Sequence, residues 1–149
     1  MEIIANALQT VPANQNVYFT DTVVCGGSCV SHRDDSGLIT LRGNTNQCRA
    51  RFKVTFGGNI ALPTGGTAGE ISLAIAIDGE AVRSTTMTVT PAAVEEFFNI
   101  FSAIFIDVPR GCCMTISVKN ISDVDVDVQN AKTVSTSLTS LLHQSKQVE

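Results

Sequence analysis

Read as a strand, the segment FFNIFSAIFIDV, Phe97–Val108, is apolar on both faces, and no other feature of the chain constrains its fold as tightly. Phe97, Phe101, Ala103 and Phe105 share one side, while Phe98, Ile100, Ile104, Ile106 and Val108 share the other. The contrast is RARFKVTF, where Ala50, Phe52, Val54 and Phe56 alternate with Arg49, Arg51, Lys53 and Thr55, the pattern of a strand with one wet side. A small β domain has a single internal core, so a strand apolar on both sides needs a second apolar partner. A further copy of the same chain is the first candidate, with Phe97, Phe101 and Phe105 at the interface. A helical reading competes over PAAVEEFFNIF, because Val94, Phe97, Phe98 and Phe101 follow Pro91 at i, i+3, i+4, i+7 spacing. The apolar run continues unbroken to Val108, which favours the strand.

Composition points the same way. Charged residues make up 16% of the 149 and apolar ones 44%, with mean hydropathy +0.20; ordinary soluble domains carry about 25% charged residues. A chain of 15.8 kDa can build one core without metal or disulfide staples. The net charge is −4 and the Lys and Arg residues are scattered, whereas nucleic-acid binding needs a clustered basic face, so nucleic acid is excluded as a partner. The segment MEIIANALQTVPANQNV has neither a basic start nor a long apolar run, and no stretch approaches the roughly 20 apolar residues of a membrane span. The expectation is a soluble protein without membrane insertion, maturing in the cytoplasm of its producer.

Helical periodicity is nearly absent, and short alternating segments separated by Gly, Pro and Asn turns predict an all-β sandwich. Strands are expected at Asn16–Val24, Cys29–His32, Leu38–Leu41, Arg49–Phe56, Glu70–Ile77, Thr85–Thr90, Phe97–Val108, Cys113–Asn120 and Val124–Leu138. In ISLAIAIDG, Ile71, Leu73, Ile75 and Ile77 form the inward row; the small Ser72, Ala74 and Ala76 admit close approach of a neighbouring surface. In VDVDV, Asp123, Asp125 and Asp127 alternate with Val124, Val126 and Val128, which predicts a solvated strand face; the further ligands and glycine of a calcium loop are missing. The tail TSLTSLLHQSKQVE, with Leu138, Leu141 and Leu142 on one stripe, reads as a short docking helix or a frayed end.

No catalytic constellation emerges, so the chain is expected not to be an enzyme and to bind no cofactor. His32 lies in SHRDDSG beside Ser31 and Asp34, but no nucleophile elbow accompanies it, and a surface histidine beside a turn is expected. Glu95 and Glu96 are sequence neighbours and would face opposite ways in a strand, and GGNIALPTGGTAGE lacks a phosphate-binding signature. The five cysteines, Cys25, Cys29, Cys48, Cys112 and Cys113, have no zinc spacing. They are expected to be mostly reduced and metal-free, with Cys25–Cys29 the local pair if any bridge forms.

The succession QNVYF, GLITLRG, RARFKVTFGGNIA, ISLAIAIDGE, a long apolar strand ending in DVPRGCCMTISVKN, and a closing VQNAKTVSTSL resembles the trimeric jelly-roll domains of the complement globular-head and tumour necrosis factor superfamily. It is similar above all to small proteins of phages and prophages of gut Firmicutes, and to the heads of collagen-like spore-surface glycoproteins. The resemblance spans Gln15–Leu138, and it departs from the superfamily in having Gly-Cys where the Gly-Asp strand entry is usual.

The resemblance implies a TNF-like jelly roll of about ten strands that assembles as a homotrimer, with Ile71 and Ile75 joining Phe97, Phe101 and Phe105 at the interface. It also implies a non-enzymatic virion structural protein, a capsid decoration, head-fibre or fibre-tip protein, with capsid or tail proteins as partners. The alternative is a receptor- or carbohydrate-binding head on a bacterial cell or spore surface, with a host-surface glycan as ligand. With no collagen repeat before it, residues 1–14 are expected to be a docking segment presenting Ile3, Ile4 and Leu8, dispensable for the sandwich. Residues 15–138 form the jelly roll and 139–149 a tail.

Overall fold

The computed structural model describes residues 1–138, and the Leu141, Leu142 and His143 expectations lie outside the described residues. Among the described residues there are twelve strands: β1 (Glu2–Ala5), β2 (Gln9–Val11), β3 (Asp21–Val24), β4 (Val30–His32), β5 (Ile39–Arg42), β6 (Arg49–Ala61), β7 (Ile71–Ile77), β8 (Glu80–Ala81), β9 (Met87–Val89), β10 (Phe98–Pro109), β11 (Cys113–Asn120) and β12 (Val126–Ser137). They form two antiparallel sheets. The front sheet has the order β10-β6-β12-β1-β3, with β2 also on β12; the back sheet has the order β4-β5-β11-β7-β8, with β9 also on β7. From β5 onward the long strands β6, β7, β10, β11 and β12 alternate between the sheets.

The core lies between the sheets. Phe52, Val54 and Phe56 of β6 face Ile39, Leu41, Leu73, Ile75 and Ile116, all buried. Phe19 meets Phe56 edge to face, with ring centroids 6.4 Å apart. Each such side chain contributes about 1.5–3 kcal/mol on burial. The alternation of RARFKVTF survives intact: Arg49, Arg51 and Lys53 are exposed on the outer face.

Three expectations require correction. Ile71 and Ile75 are 0% exposed in the core, so they take no part in a subunit interface; their row packs against the front sheet of the same chain. Residues 1–14 are not a detached docking segment: β1 pairs with β12 and β3, and β2 with β12. Ile3 is fully buried in the core, leaving Leu8 exposed and Ile4 half-buried. The sequence misled because Ile3, Ile4 and Leu8 lack strict alternation, and β1 is short enough to escape period counting.

Smaller differences follow the same logic. The predicted Asn16–Val24 strand is regular only at Asp21–Val24, with Asn16 and Phe19 in isolated bridges to Lys119 and Ser36. The helical reading of PAAVEEFFNIF fails: Ala92–Phe97 is irregular and β10 begins at Phe98. In VDVDV, Val124 is exposed while Asp127 is buried, because Asp127 sits between β2 and β6 and accepts a hydrogen bond from Thr10 Oγ1 at 2.6 Å. The small row Ala74–Ala76 is closed off by its own chain, where Lys119 stands opposite Ala74 and its Nζ reaches the Gly79 carbonyl at 3.2 Å.

Candidate functional site

The outer face of the front sheet follows from register. β10 and β6 pair without interruption from Phe98↔Ile60 to Pro109↔Arg49. Residues directly opposite in such a ladder share a face, so Phe101, Ala103, Phe105 and Asp107 lie beside Gly57, Thr55, Lys53 and Arg51. On the far side of β6, Lys132, Val134 and Thr136 of β12 continue the rows, and Ile4 and Glu2 of β1 extend them towards β3. Phe101 and Phe105 are 66% and 63% exposed, while their neighbours Ile100, Ile106 and Val108 point into the core. Phe97 precedes the strand and is exposed as well. At the opposite edge of the sheet, Val23 and Val24 of β3 are also exposed.

Charge frames this apolar surface. Asp107 accepts from Arg51 at 2.8 and 3.1 Å, and Arg49 lies 3.5 Å away. The Arg51 hydrogen bonds and both guanidinium charges hold the Asp107 carboxyl below its ordinary value, partial desolvation opposing them, and the Asp107 carboxylate raises Arg51. Lys53 Nζ stands 6.0 Å from the Phe105 ring centroid, and Lys132 pairs with Glu2 at 2.9 Å. Paired charges around exposed aromatics suit contact with a surface that carries both signs.

The SHRDDSG residues do different work. Ser31 Oγ accepts from Arg42 Nη1 at 2.9 Å, turned to β5 rather than to the histidine. The His32 side chain is fully buried, not on the surface: its ring meets Phe19 at 6.3 Å, Nε2 donates to the Ser36 carbonyl at 2.8 Å, and Nδ1 lies 3.4 Å from Thr22 Oγ1. It fastens the turn to the core. Glu95 accepts from Thr64 Oγ1, joining two loops.

A polar cleft of about 630 Å³ opens beside β7 and β9, lined by Glu70, Ser72, Arg83, Thr88, Ser122 and Asp123 among others. Residues from four separate stretches meet there, and no sequence motif pointed to them. Among the described residues, no group of three or more His, Cys, Asp or Glu side chains is placed to hold a metal ion. The five cysteines carry free thiols.

With twelve strands in two antiparallel sheets, the chain is an all-β jelly-roll sandwich. Its fold is similar to that of the globular domain of zebrafish complement 1qA protein, with TM-score 0.59 and 9% identity over 89% of this chain and 93% of that one. Lower scores relate it to murine APRIL (0.49; 11% identity; 89% and 98% covered) and to the PRD1 vertex protein (0.45; 13% identity; 89% and 92% covered). The fold assignment rests on the first of these likenesses. No family model and no curated protein matches the sequence.

Proposed function

We propose that the chain is a non-enzymatic virion structural protein of a bacteriophage, a homotrimeric capsid decoration, head-fibre or fibre-tip protein that assembles through the outer face of its front sheet. The observation that carries the assembly is the exposed pair Phe101 and Phe105 on a strand whose other face already fills the core. A second copy is the occupant because the same face is apolar at both edges, aromatic at β10 and aliphatic at Val24 of β3. A cyclic trimer makes head-to-tail contacts, so one edge of each copy meets the other edge of the next. The charges between them, Lys53 and Lys132 against Glu2 and Asp107, offer both signs to such a neighbour.

The virion assignment is supported by the sequence resemblance to small phage and prophage proteins. Light scattering on the purified chain tests the assembly, with three times 15.8 kDa expected and a single-chain mass overturning it. Antibody labelling of particles from the producing strain tests the location; label absent from particles overturns that half.

A receptor- or carbohydrate-binding head is the second reading, favoured by the polar cleft at Glu70, Ser72, Arg83 and Asp123, whose hydroxyls, carboxylates and guanidinium suit a polyhydroxylated ligand. Glycan-array binding lost on Arg83→Ala would favour it, and particle labelling without glycan binding would exclude it.

A further inference from the structure

The two sheets deploy charge differently. On the outer face of the front sheet, Arg49 and Arg51 pair with Asp107, and Lys132 pairs with Glu2. In the polar cleft of the back sheet, Glu70, Arg83 and Asp123 line one space of about 630 Å³, and none of the three has an ion-pair partner among the described residues. Charges of both signs face one cleft without neutralising each other.

Register sorts them by sign. Ser72, on the outer face of β7, lies on the floor of the cleft. Ile121 N donates to the Ser72 carbonyl at 3.1 Å, so the chain leaving β11 runs antiparallel beside the start of β7 and brings Asp123 to the end where Glu70 stands. The 3-10 turn Arg83–Thr85 lies at the other end, at the level of Ile75. There Val82 N donates to the Ile75 carbonyl at 2.9 Å, and Thr85 Oγ1 accepts from Ile75 N at 2.9 Å. The cleft is therefore polarised, with two carboxylates at the entry to β7 and one guanidinium at the turn.

Fixed hydroxyls occupy the space between. Ser122 Oγ is buried; it accepts from Ser72 N at 2.7 Å and donates to the Ser72 carbonyl at 3.1 Å. Ser72 Oγ and Thr88 Oγ1 share a hydrogen bond at 2.9 Å, which uses one of their two protons and leaves the other to donate outward. Thr86 Oγ1 donates to the Arg83 carbonyl at 2.8 Å and keeps its lone pairs to accept. Partners for ligand hydroxyls thus lie between anchored charges of opposite sign.

We propose that this cleft binds a zwitterionic sugar, one that carries an ammonium group and a single acidic group on the same unit. The inference rests on the binding-head reading of the cleft and names its ligand class. The ammonium lies between Glu70 and Asp123, the acid meets the Arg83 guanidinium, and ring hydroxyls exchange hydrogen bonds with Thr86 and the Ser72–Thr88 pair. A neutral sugar leaves all three charges without a partner, an acidic one leaves both carboxylates, and a basic one leaves the guanidinium.

The test is calorimetric titration of the full chain at neutral pH with 2-amino-2-deoxyglucuronic acid, glucosamine, glucuronic acid and glucose. The first should bind about fivefold more tightly than glucosamine or glucuronic acid, the upper range of an exposed ion pair, with glucose weakest. Added salt should weaken the first and leave glucose unchanged. Arg83→Gln should bring the first probe down to the level of glucosamine, and Glu70→Gln combined with Asp123→Asn to the level of glucuronic acid. All three positions are exposed, and circular dichroism checks that the variants fold. Variants that keep the full selectivity overturn the inference. Four probes that bind alike, or none that binds, overturn this inference alone where the glycan array still shows binding lost on Arg83→Ala. The same result with a silent array overturns the binding-head reading with it.

Discussion

Gly57 stands directly opposite Phe101 in the ladder between β6 and β10, and the ring leans over it, with Cδ2 3.8 Å from where a Cβ of residue 57 would sit. The ring therefore rests on bare backbone and remains 66% exposed. A side chain supported from beneath and open above leaves its aromatic surface free for the contact proposed with a second copy.

Phe101→Asp and Phe105→Asp are expected to leave the single sandwich folded, because exposed positions usually change stability by no more than about 0.5 kcal/mol. Each should break the assembly, since a charge buried without a partner between copies is strongly unfavourable. Light scattering with circular dichroism separates the two effects. A folded trimer in both variants would show that the subunits meet elsewhere.

The chain's first residues give a contrasting expectation. Ile3 fills the core, and the Met1 ammonium donates to the Ser135 carbonyl at 2.7 Å while Ser135 N donates back to the Met1 carbonyl at 2.8 Å. Burial of Ile3 contributes about 1.5–3 kcal/mol, and removing β1 and β2 also strips the ladder from one side of β12. Against a total stability of about 5–15 kcal/mol, deletion of Met1–Thr10 should leave no cooperative thermal transition. A truncated protein that melts cooperatively would count against β1 as part of the sandwich.

How legible was this in the sequence? The two-sided apolar run at β10 and the strict alternation of RARFKVTF located the long front-sheet strands and their faces, because strand period is a local property. The assignment of Ile71 and Ile75 to an interface came from the resemblance and not from their alternation, which had already set their row inward, where both are buried in the core. His32 looked like a surface residue because nothing local marks Phe19 and Ser36 as its partners. The polar cleft depends on Glu70, Arg83 and Asp123 meeting across loops, and tertiary meetings leave no periodic trace.

Asn120 shows the same limit. It is fully buried at the end of β11, donates from Nδ2 to the carbonyls of Val11 and Val124 at 2.9 Å each, and accepts at Oδ1 from Ser122 N. It ties the exit from the back sheet to β2 and to the entry of β12. Asn120→Ala strands these buried groups and should cost about 3 kcal/mol, read from the urea midpoint. Asn120→Asp should fare no better, since a carboxylate cannot donate to two carbonyls. A midpoint unchanged in both variants would mean that Asn120 does not tie these elements together.

Acid should act through Asp107. Its carboxyl is held below the ordinary value chiefly by the Arg51 hydrogen bonds. A depressed folded value contributes stability that is fully present above the unfolded carboxylate value of about 3.9 and is lost as pH falls through the lower folded value. Wild type should exceed Asp107→Asn in urea midpoint at neutral pH, and the two should converge in acid. Parallel curves down to the lowest pH would mean that the pair contributes nothing to folding.

Thr133 and Ser135 offer the opposite experiment. They stand opposite Phe56 and Val54 on the inner face of β12, and their buried hydroxyl oxygens have no hydrogen-bond partner among the described residues. A buried hydroxyl without a partner carries a desolvation cost that an apolar group of similar size avoids. Thr133→Val keeps the branched shape and should stabilise the chain by about 1 kcal/mol, while Ser135→Ala, which removes only the hydroxyl, should act in the same direction. Neither side chain reaches the outer face, so both gains should appear in the single sandwich and persist in a Phe101→Asp background. A lower melting temperature for Thr133→Val would show that its hydroxyl is satisfied, and that β12 does not set Thr133 against Phe56 on the core side of the sheet.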